Sequence, residues 1–571
     1  MLSADLLIEE EIMTNRRAFL KAAGCGLATL GAAGTLSAAA HVLPGKKRPN
    51  ILFIMTDDHA AHAISAYGSR INKTPGIDRL ASEGVLCKDV FVTNSICTPS
   101  RACILSGMYS CKNGVPVFND ISPKLKTVGG TMREAGYYTA LLGKWHMGGP
   151  HTVRDTDWDR WAIYQGQGQY FDPFFFTKAE KCPVGVEQHL QGQRLTFKGE
   201  YATDNLTKVT QCVIDEAIAQ DKPFCVFMLH KAPHRNWLPS DKYREKFRSM
   251  TLDDFPPPET LFDDYKGRAT PIKQTAMTLE HHMRIEADLK LTEYFSQGGK
   301  FPGVDPQQYK TGESTNRWPK ELRDQPGLDA AERERRRRER IKLSYLRYMQ
   351  DYLGCVQSVD DSVADMLDYL KEKGIDENTI VVYTADQGFF LGDHGLYDKR
   401  FMMEESLRMP FLVRWPAQIK AGSVNEDLIT NVDFAAFFAD AGGVPANPEW
   451  QGRSFLPNLT AAGTPKDWRK SFYYRYYIQG GEHATPAHYG VRTKRYKLIS
   501  YYKVGEWELF DLKNDPEELK NLYNDPAYKG VAAALKDELF RLKTAVGDAD
   551  QFYGCSDYYL NPGNNYPNVF D

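Results

Sequence analysis

The sequence predicts an α/β protein: a large mixed, mostly parallel sheet sandwiched by helices, followed by a smaller C-terminal α+β subdomain with an antiparallel sheet. Three observations carry this. Residues 50–56, 224–229 and 379–384 are short, continuous apolar runs rich in Ile, Val and Phe, the pattern of strands buried on both faces. Amphipathic helical patterns lie between them, Tyr345 to Leu370 being one, as alternation around a parallel sheet requires. Past residue 466 the pattern becomes alternating strands, at 473–477, 496–501 and 507–512, with a helix from about Lys529 to Lys543 to cover them.

In open α/β sheets, ligands bind beyond the carboxyl ends of the strands. Asp57 and Asp58, His234, and Asp386 with Gln387 each follow one of the apolar runs directly. Any one of them alone reads as a strand-end turn or a helix N-cap. Jointly they put acidic and basic groups from distant sequence on one rim. The four oxygen donors suit a hard divalent cation such as Ca²⁺.

Taken in chain order, residues 1–40 read as an address. Asn15-Arg16-Arg17-Ala18-Phe19-Leu20-Lys21 precedes a mildly apolar Gly/Ala-rich stretch ending at Ala40, the pattern of a Tat export signal. The expected partner is the Tat machinery and the expected location the bacterial periplasm or exterior. Glu9, Glu10 and Glu11 are unusual in such a signal, which leaves Met13 as an alternative start; Cys25 makes no lipobox. Residues 41–465 are expected to form the catalytic domain and 466–571 the C-terminal subdomain. The stretch 251–330, rich in Pro and charge, reads as an insertion that shapes a cleft. The aromatic tail after Asp548, with Tyr558, Tyr559, Pro562 and Tyr566, reads as folding back on the body.

The chain has 571 residues, a net charge of −3 and 12% aromatics, which fits a large enzyme and gives no nucleic-acid signature. Arg335 to Arg338, interleaved with Glu332 and Glu339, read as a solvated helix face. No apolar run of membrane-spanning length follows the N-terminus. Of ten cysteines, Cys87, Cys103 and Cys111 cluster at spacings that match no zinc motif, and a disulfide or two stays open.

Cys97-Thr98-Pro99-Ser100-Arg101 has a plain reading as a small buried cysteine on a turn before a helix, with Pro99 at the first helical position. It is joined, in order, by Gly136-Tyr137-Tyr138-Thr139-Ala140-Leu141-Leu142-Gly143-Lys144-Trp145-His146, by His230-Lys231-Ala232-Pro233-His234, and by Gly392-Asp393-His394-Gly395-Leu396-Tyr397-Asp398-Lys399-Arg400. With the Asp57-Asp58 and Asp386-Gln387 strand ends, these segments resemble the formylglycine-dependent type I sulfatases of the alkaline-phosphatase superfamily. Within that family they resemble carbohydrate sulfatases acting on N-acetylglucosamine 6-sulfate. Two small departures, Ser106 and Leu142 in the two signature segments, touch no chemical group.

The resemblance implies a mechanism. Cys97 is the modified residue, oxidised to formylglycine by a formylglycine-generating or anaerobic sulfatase-maturating enzyme. Its hydrate joins Asp57, Asp58, Asp386 and Gln387 around Ca²⁺ and attacks sulfur, with Asp386 as proton acceptor. Arg101, Lys144 and Lys399 surround the sulfate. His234, helped by Lys399, protonates the leaving alcohol, and His146 takes the proton of the second hydroxyl. For the sugar, Asp393 and His394 are expected to bind hydroxyls, against a plain reading as loop caps. His483, His488 and Arg492 are expected to close the pocket from the C-terminal side. Two other functions compete: a phosphonate or phosphodiester hydrolase of the same superfamily, and a sulfated-glycan-binding protein without catalysis.

Overall fold

The structure, a computed structural model, describes residues 48–309 and 315–552. The export-signal segment and Tyr558, Tyr559, Pro562 and Tyr566 lie outside the described residues. Five parallel strands form the centre of the main sheet, in the spatial order Thr379–Ala385, Asn50–Thr56, Phe224–Leu229, Tyr138–Gly143, Arg160–Tyr164. Antiparallel partners extend both sides: Phe411–Arg414 and Val85–Cys87 on one, Phe174–Phe176 and Arg194–Thr196 on the other. The predicted mixed, mostly parallel sheet is therefore the observed one. Its central strands are apolar throughout because helices cover both faces. Phe53 meets Phe227 and Phe438 edge-to-face, each at 5.1 Å, and Phe438 belongs to the covering helix Phe434–Ala441.

The predicted helix at 345–370 is part of a 43-residue helix, Ala330–Glu372. Asp329 caps it by accepting the Glu332 N–H, and Gly374 just beyond it takes a left-handed φ of 67°. The side chains of Arg335, Arg337 and Arg338 reach solvent, as a solvated face requires, and the run is also paired. Glu332 holds Arg335 and Arg336 at 2.7 Å, Glu280 holds Arg337 at 2.7 Å, and Arg338 lies 3.7 Å over the Phe262 ring. Glu280 and Phe262 come from the 251–330 stretch, so the run fastens that insertion to the body.

The small sheet is antiparallel: Ser471–Tyr476, His488–Thr493, Tyr496–Tyr501 and Glu506–Asp511. Helix Lys529–Ala545 lays Leu535 and Leu539 onto Val491, Leu498 and Leu509. The start of the tail does fold back: Asp548 is buried against Arg475 at 2.7 Å and Phe552 meets Tyr477. All eight cysteines among the described residues are free; Cys103 contacts the Ser110 and Thr93 hydroxyls instead of pairing with Cys87 or Cys111. No helix among the described residues is long and apolar enough to cross a membrane.

Candidate active site

Four neighbouring parallel strands deliver the site at their carboxyl ends. Thr379–Ala385 leads into Asp386 and Gln387, Asn50–Thr56 into Asp57 and Asp58, Phe224–Leu229 into Lys231 and His234, and Tyr138–Gly143 into Lys144 and His146. Thr56 pairs with Ala385, so the two acidic dipeptides leave the sheet side by side, and Asp58 donates its N–H to Asp386 Oδ1 at 3.2 Å. Gly143 is required where the fourth strand turns: a Cβ there would stand 2.0 Å from the Leu229 carbonyl oxygen, at a φ of 97°. Asp58, His146, Asp398 and Arg400 all have left-handed backbone, with φ of 67°, 55°, 76° and 88°. Strain of this kind in non-glycine residues collects at functional sites.

Cys97 is the first residue of helix Cys97–Ser106, every residue of which is buried. It sits at the positive end of that helix and lines a cleft of about 900 Å³ that it shares with Asp58, His146, His234, Lys399 and His483. Burial pushes the thiol up to about 12, so the encoded cysteine is protonated and a poor nucleophile at neutral pH. Asp57, Arg101, Lys144, Asp386 and Gln387 lie fully buried behind the cleft wall.

The charges behind that wall interlock. Arg101 donates from Nε to Asp386 Oδ2 at 3.0 Å and from Nη1 to the Lys144 carbonyl, and its Nη2 stands 2.9 Å from the same Asp386 oxygen as an ion pair. Lys144 contacts Asp57 and the Gln167 amide oxygen, and Lys399 reaches Asp58 Oδ1 at 2.6 Å. The lysines thus sit on the carboxylates rather than standing free around a sulfate. Burial raises Asp58 to about 7 even against the opposing charge of Lys399. Burial drives Lys144, and the His146 and His234 imidazoles, well below their ordinary values, with neighbouring cations adding to the effect on both histidines. Lys399 resists its own burial and is raised by Asp58 and Asp398.

The donor set fits a hard cation. Asp57 Oδ1 and Gln387 Oε1 are buried acceptors without a hydrogen-bond donor, an arrangement that is costly unless a cation meets them. Ligand atoms of Asp57, Asp58 and His234 lie within 4.8 Å of one another. Of the four predicted oxygen ligands, Asp386 is the most engaged, with both oxygens already accepting from Arg101 or the Asp58 N–H.

The predicted sugar-binding residues divide. His483 reaches the cleft, where its Nε2 is 3.1 Å from Asp398 Oδ2. The other four point elsewhere. Asp393 turns to His62 at 3.2 Å and His394 to Asp263 at 2.9 Å, both outside the cleft. His488 donates Nδ1–H to the Pro486 carbonyl and packs among Tyr474, Tyr476 and Phe401. Arg492 is spent on Glu404 at 3.1 Å. Sequence reading missed several cleft residues: Asp398 and Arg400, on either side of Lys399; Lys231, three residues before His234; and Tyr170, whose ring lies 4.7 Å beneath the Lys231 ammonium. The left-handed backbone at 398 and 400 turns these side chains, and no local pattern announces it.

Comparison with known proteins agrees with this geometry. Residues 49–444 match the sulfatase family, and residues 392–545 match the C-terminal region of N-sulphoglucosamine sulphohydrolase. An N-acetylglucosamine-6-O-sulfatase of Bacteroides thetaiotaomicron is 39% identical over 501 residues, 84% of each chain. A solved structure, BT4656 in complex with its substrate D-glucosamine-2-N,6-O-disulfate, superposes with a TM-score of 0.75 at 37% identity, over 89% of this chain and all of that one. The phosphonate monoester hydrolase of Agrobacterium radiobacter shares the fold at 20% identity, with a TM-score of 0.59 over 87% of this chain and 96% of its own. The chain belongs to the sulfatase family of the alkaline-phosphatase superfamily and is a sulfuric ester hydrolase.

Proposed function

We propose that the protein removes sulfate from a sulfated carbohydrate, N-acetylglucosamine 6-sulfate or a glycosaminoglycan residue of that kind, using a formylglycine derived from Cys97 and a bound Ca²⁺. The observation that carries this is the conjunction of a buried, protonated Cys97 at a helix N-terminus, partnerless acceptor oxygens on Asp57 and Gln387, and the His146 and His234 imidazoles in the same cleft. The 39% identical relative, named for N-acetylglucosamine 6-O-sulfate, supports the choice of sugar.

Asp57, Asp58, Asp386 and Gln387 would hold the ion, which supplies Lewis-acid withdrawal of charge from the sulfate oxygens. The modification of Cys97 supplies an oxygen nucleophile in place of the thiol. The remaining work falls to the chain's own groups. Nδ1 of His234 donates to the Arg235 carbonyl, which leaves Nε2, 3.7 Å from Asp58 Oδ2, as the ring atom that would take up a proton and pass it to the departing sugar oxygen. Thr98 fixes His146 by donating to its carbonyl at 2.6 Å and lying 3.3 Å from Nδ1, which leaves Nε2 for the second proton transfer. Arg101 anchors Asp386 and Lys144 braces Asp57 behind the wall, while Lys399, which lines the cleft, holds positive charge where an anionic substrate enters. Asp398, Arg400 and His483 present a charged rim to the sugar hydroxyls.

Around this core we place a Tat signal at 1–40, a catalytic domain at 41–465, a C-terminal subdomain at 466–571, and a periplasmic or secreted location, all on sequence pattern. A formylglycine-generating or anaerobic maturating enzyme and the Tat machinery are the partners this requires.

The test is the mass of the tryptic peptide 89–101 from protein made with a maturation enzyme, followed by rates on matched esters. CHO in place of CH₂SH at residue 97, and faster turnover of N-acetylglucosamine 6-sulfate than of phosphate mono- or diesters, are expected. An unmodified thiol despite a competent maturase, or a preference for the phosphodiester, overturns the reading. Chelation should abolish turnover and added Ca²⁺ restore it.

A further inference from the structure

The cleft that holds Cys97 does not end at His146. A second cleft of about 880 Å³ opens on the other side of the same imidazole: Phe118 and His146 wall both, and Thr98, next to Cys97, faces the second. The ridge between them is an unusual run, Gln165-Gly166-Gln167-Gly168-Gln169. Its first two residues line the second cleft and its last three line the first. Left-handed φ values of 51° at Gly166 and 71° at Gly168 bend it, and Gln167 accepts from Lys144, which pins its middle to the catalytic cluster.

Size and chemistry indicate what the second cleft takes. The Cys97 cleft alone has the volume of a complete small-molecule site, so one sulfated sugar does not need a second cavity of equal size. The second cleft's lysine is matched internally, Lys178 with Asp155, and Asp120 accepts a hydrogen bond from His151 at 3.0 Å. It therefore offers little net attraction to another sulfate. What it offers is amide groups on Gln165 and Gln193 and the aromatic face of Phe176, the donors, acceptors and flat apolar surface that suit a hydroxyl-rich ring.

We propose that this second cleft is a subsite for the uncharged sugar joined to the sulfated one, so that the true substrate is a sulfated oligosaccharide laid across the Gln165–Gln169 ridge. The inference rests on the carbohydrate sulfatase reading and names the length of its substrate.

The experiment compares kcat/KM of the matured enzyme on N-acetylglucosamine 6-sulfate with that on a disaccharide carrying the same sulfated residue, in wild type and in the double variant Gln165→Ala, Gln193→Ala. The disaccharide should be preferred about tenfold, as one well-made extra contact gives. The double variant should lose that preference while turning over the monosaccharide as before. Equal kcat/KM on the two substrates, or a double variant that slows both alike, overturns the subsite. Failure of the carbohydrate reading looks different: neither sugar is hydrolysed although an aryl sulfate is. In that event titration of the same disaccharide into Cys97→Ala protein decides. Binding weakened by the double change retains the subsite, and no binding overturns it.

Discussion

Two clusters of buried charge can be set side by side. One is the active site, with Asp57, Asp58 and Asp386 against Arg101, Lys144 and Lys399. The other joins the insertion, the main sheet's rim and the small sheet, with Glu404, Glu508 and Glu518 against Arg268, Arg408, Arg492 and Lys497. Residue types, burial and spacing are similar. In the second cluster every carboxylate oxygen has a cation, an N–H or a hydroxyl within 3.2 Å. Glu404 meets Arg408 at 2.8 Å, Lys497 at 2.9 Å and Arg492 at 3.1 Å. Glu508 takes Arg268 Nε and the Ala269 N–H on one oxygen, and Arg268 Nη2 and the Tyr501 hydroxyl on the other. Glu518 meets Lys497 at 2.7 Å and the Glu404 N–H at 2.7 Å. In the active site Asp57 Oδ1 and Gln387 Oε1 have no donor, and Arg101 Nη2 stays 4.0 Å from the first of them. The amount of charge does not separate a site from a structural weld. The oxygens left over do.

The comparison can be broken in four ways. Cys97→Ala should cost roughly 10⁴-fold or more in kcat on any sulfate ester, with unchanged denaturant stability, because it removes the reacting group and little packing. A matching loss of stability would make this residue part of the scaffold. Glu404→Ala should do the reverse, destabilising by about 3–5 kcal/mol because Arg492 and Lys497 lose a shared buried partner. Rates per folded molecule should hold, and chemical denaturation with active-site titration measures both.

Lys231→Met should split the two properties. Among the described residues no carboxylate lies within ion-pair distance of this buried ammonium, and burial lowers it to about 8. Deleting it should leave stability equal or higher, while kcat/KM falls by about thirtyfold, the worth of a ~2 kcal/mol contact to an anionic substrate. A fall in stability instead would assign Lys231 to the weld class.

The smallest effect concerns His394. Burial acts to lower it, but the hydrogen bond to Asp263 and the charges of Glu405 and Asp393 prevail over burial and over Arg268, so its pKa in the folded protein lies above the ordinary 6.5. Its contribution is complete below pH 6.5 and disappears as pH rises through that raised value. Unfolding free energies of His394→Gln and wild type should differ most in mildly acid solution and converge in alkaline solution. A gap constant with pH would show that packing alone is lost.

Much of the site was legible in the sequence because it sits at strand ends. An apolar run fixes a strand, the parallel sheet fixes the rim where its end emerges, and Asp57, Asp58, His234, Asp386 and Gln387 follow at once. Asp393 and His394 miss the cleft because closeness to Lys399 in sequence does not tell on which side of a loop a side chain emerges. Gly392 and His394, with φ of 90° and 55°, turn that loop so that its polar groups meet His62 and Asp263, partners more than 130 residues earlier. The Gln165–Gln169 ridge escaped notice for another reason: glutamines in a loop carry no pattern until two cavities are seen on either side of them.

The depth of Cys97 also sets an order of events. The residue is 1% exposed, at the head of a helix buried along its whole length. An enzyme that must grip the chain on both sides of a cysteine cannot do so once this helix has seated. On the proposed reading, conversion of the thiol therefore belongs to the time before folding, while 97–101 is still an extended peptide. A molecule that folded first would keep its thiol, however much maturase it met later.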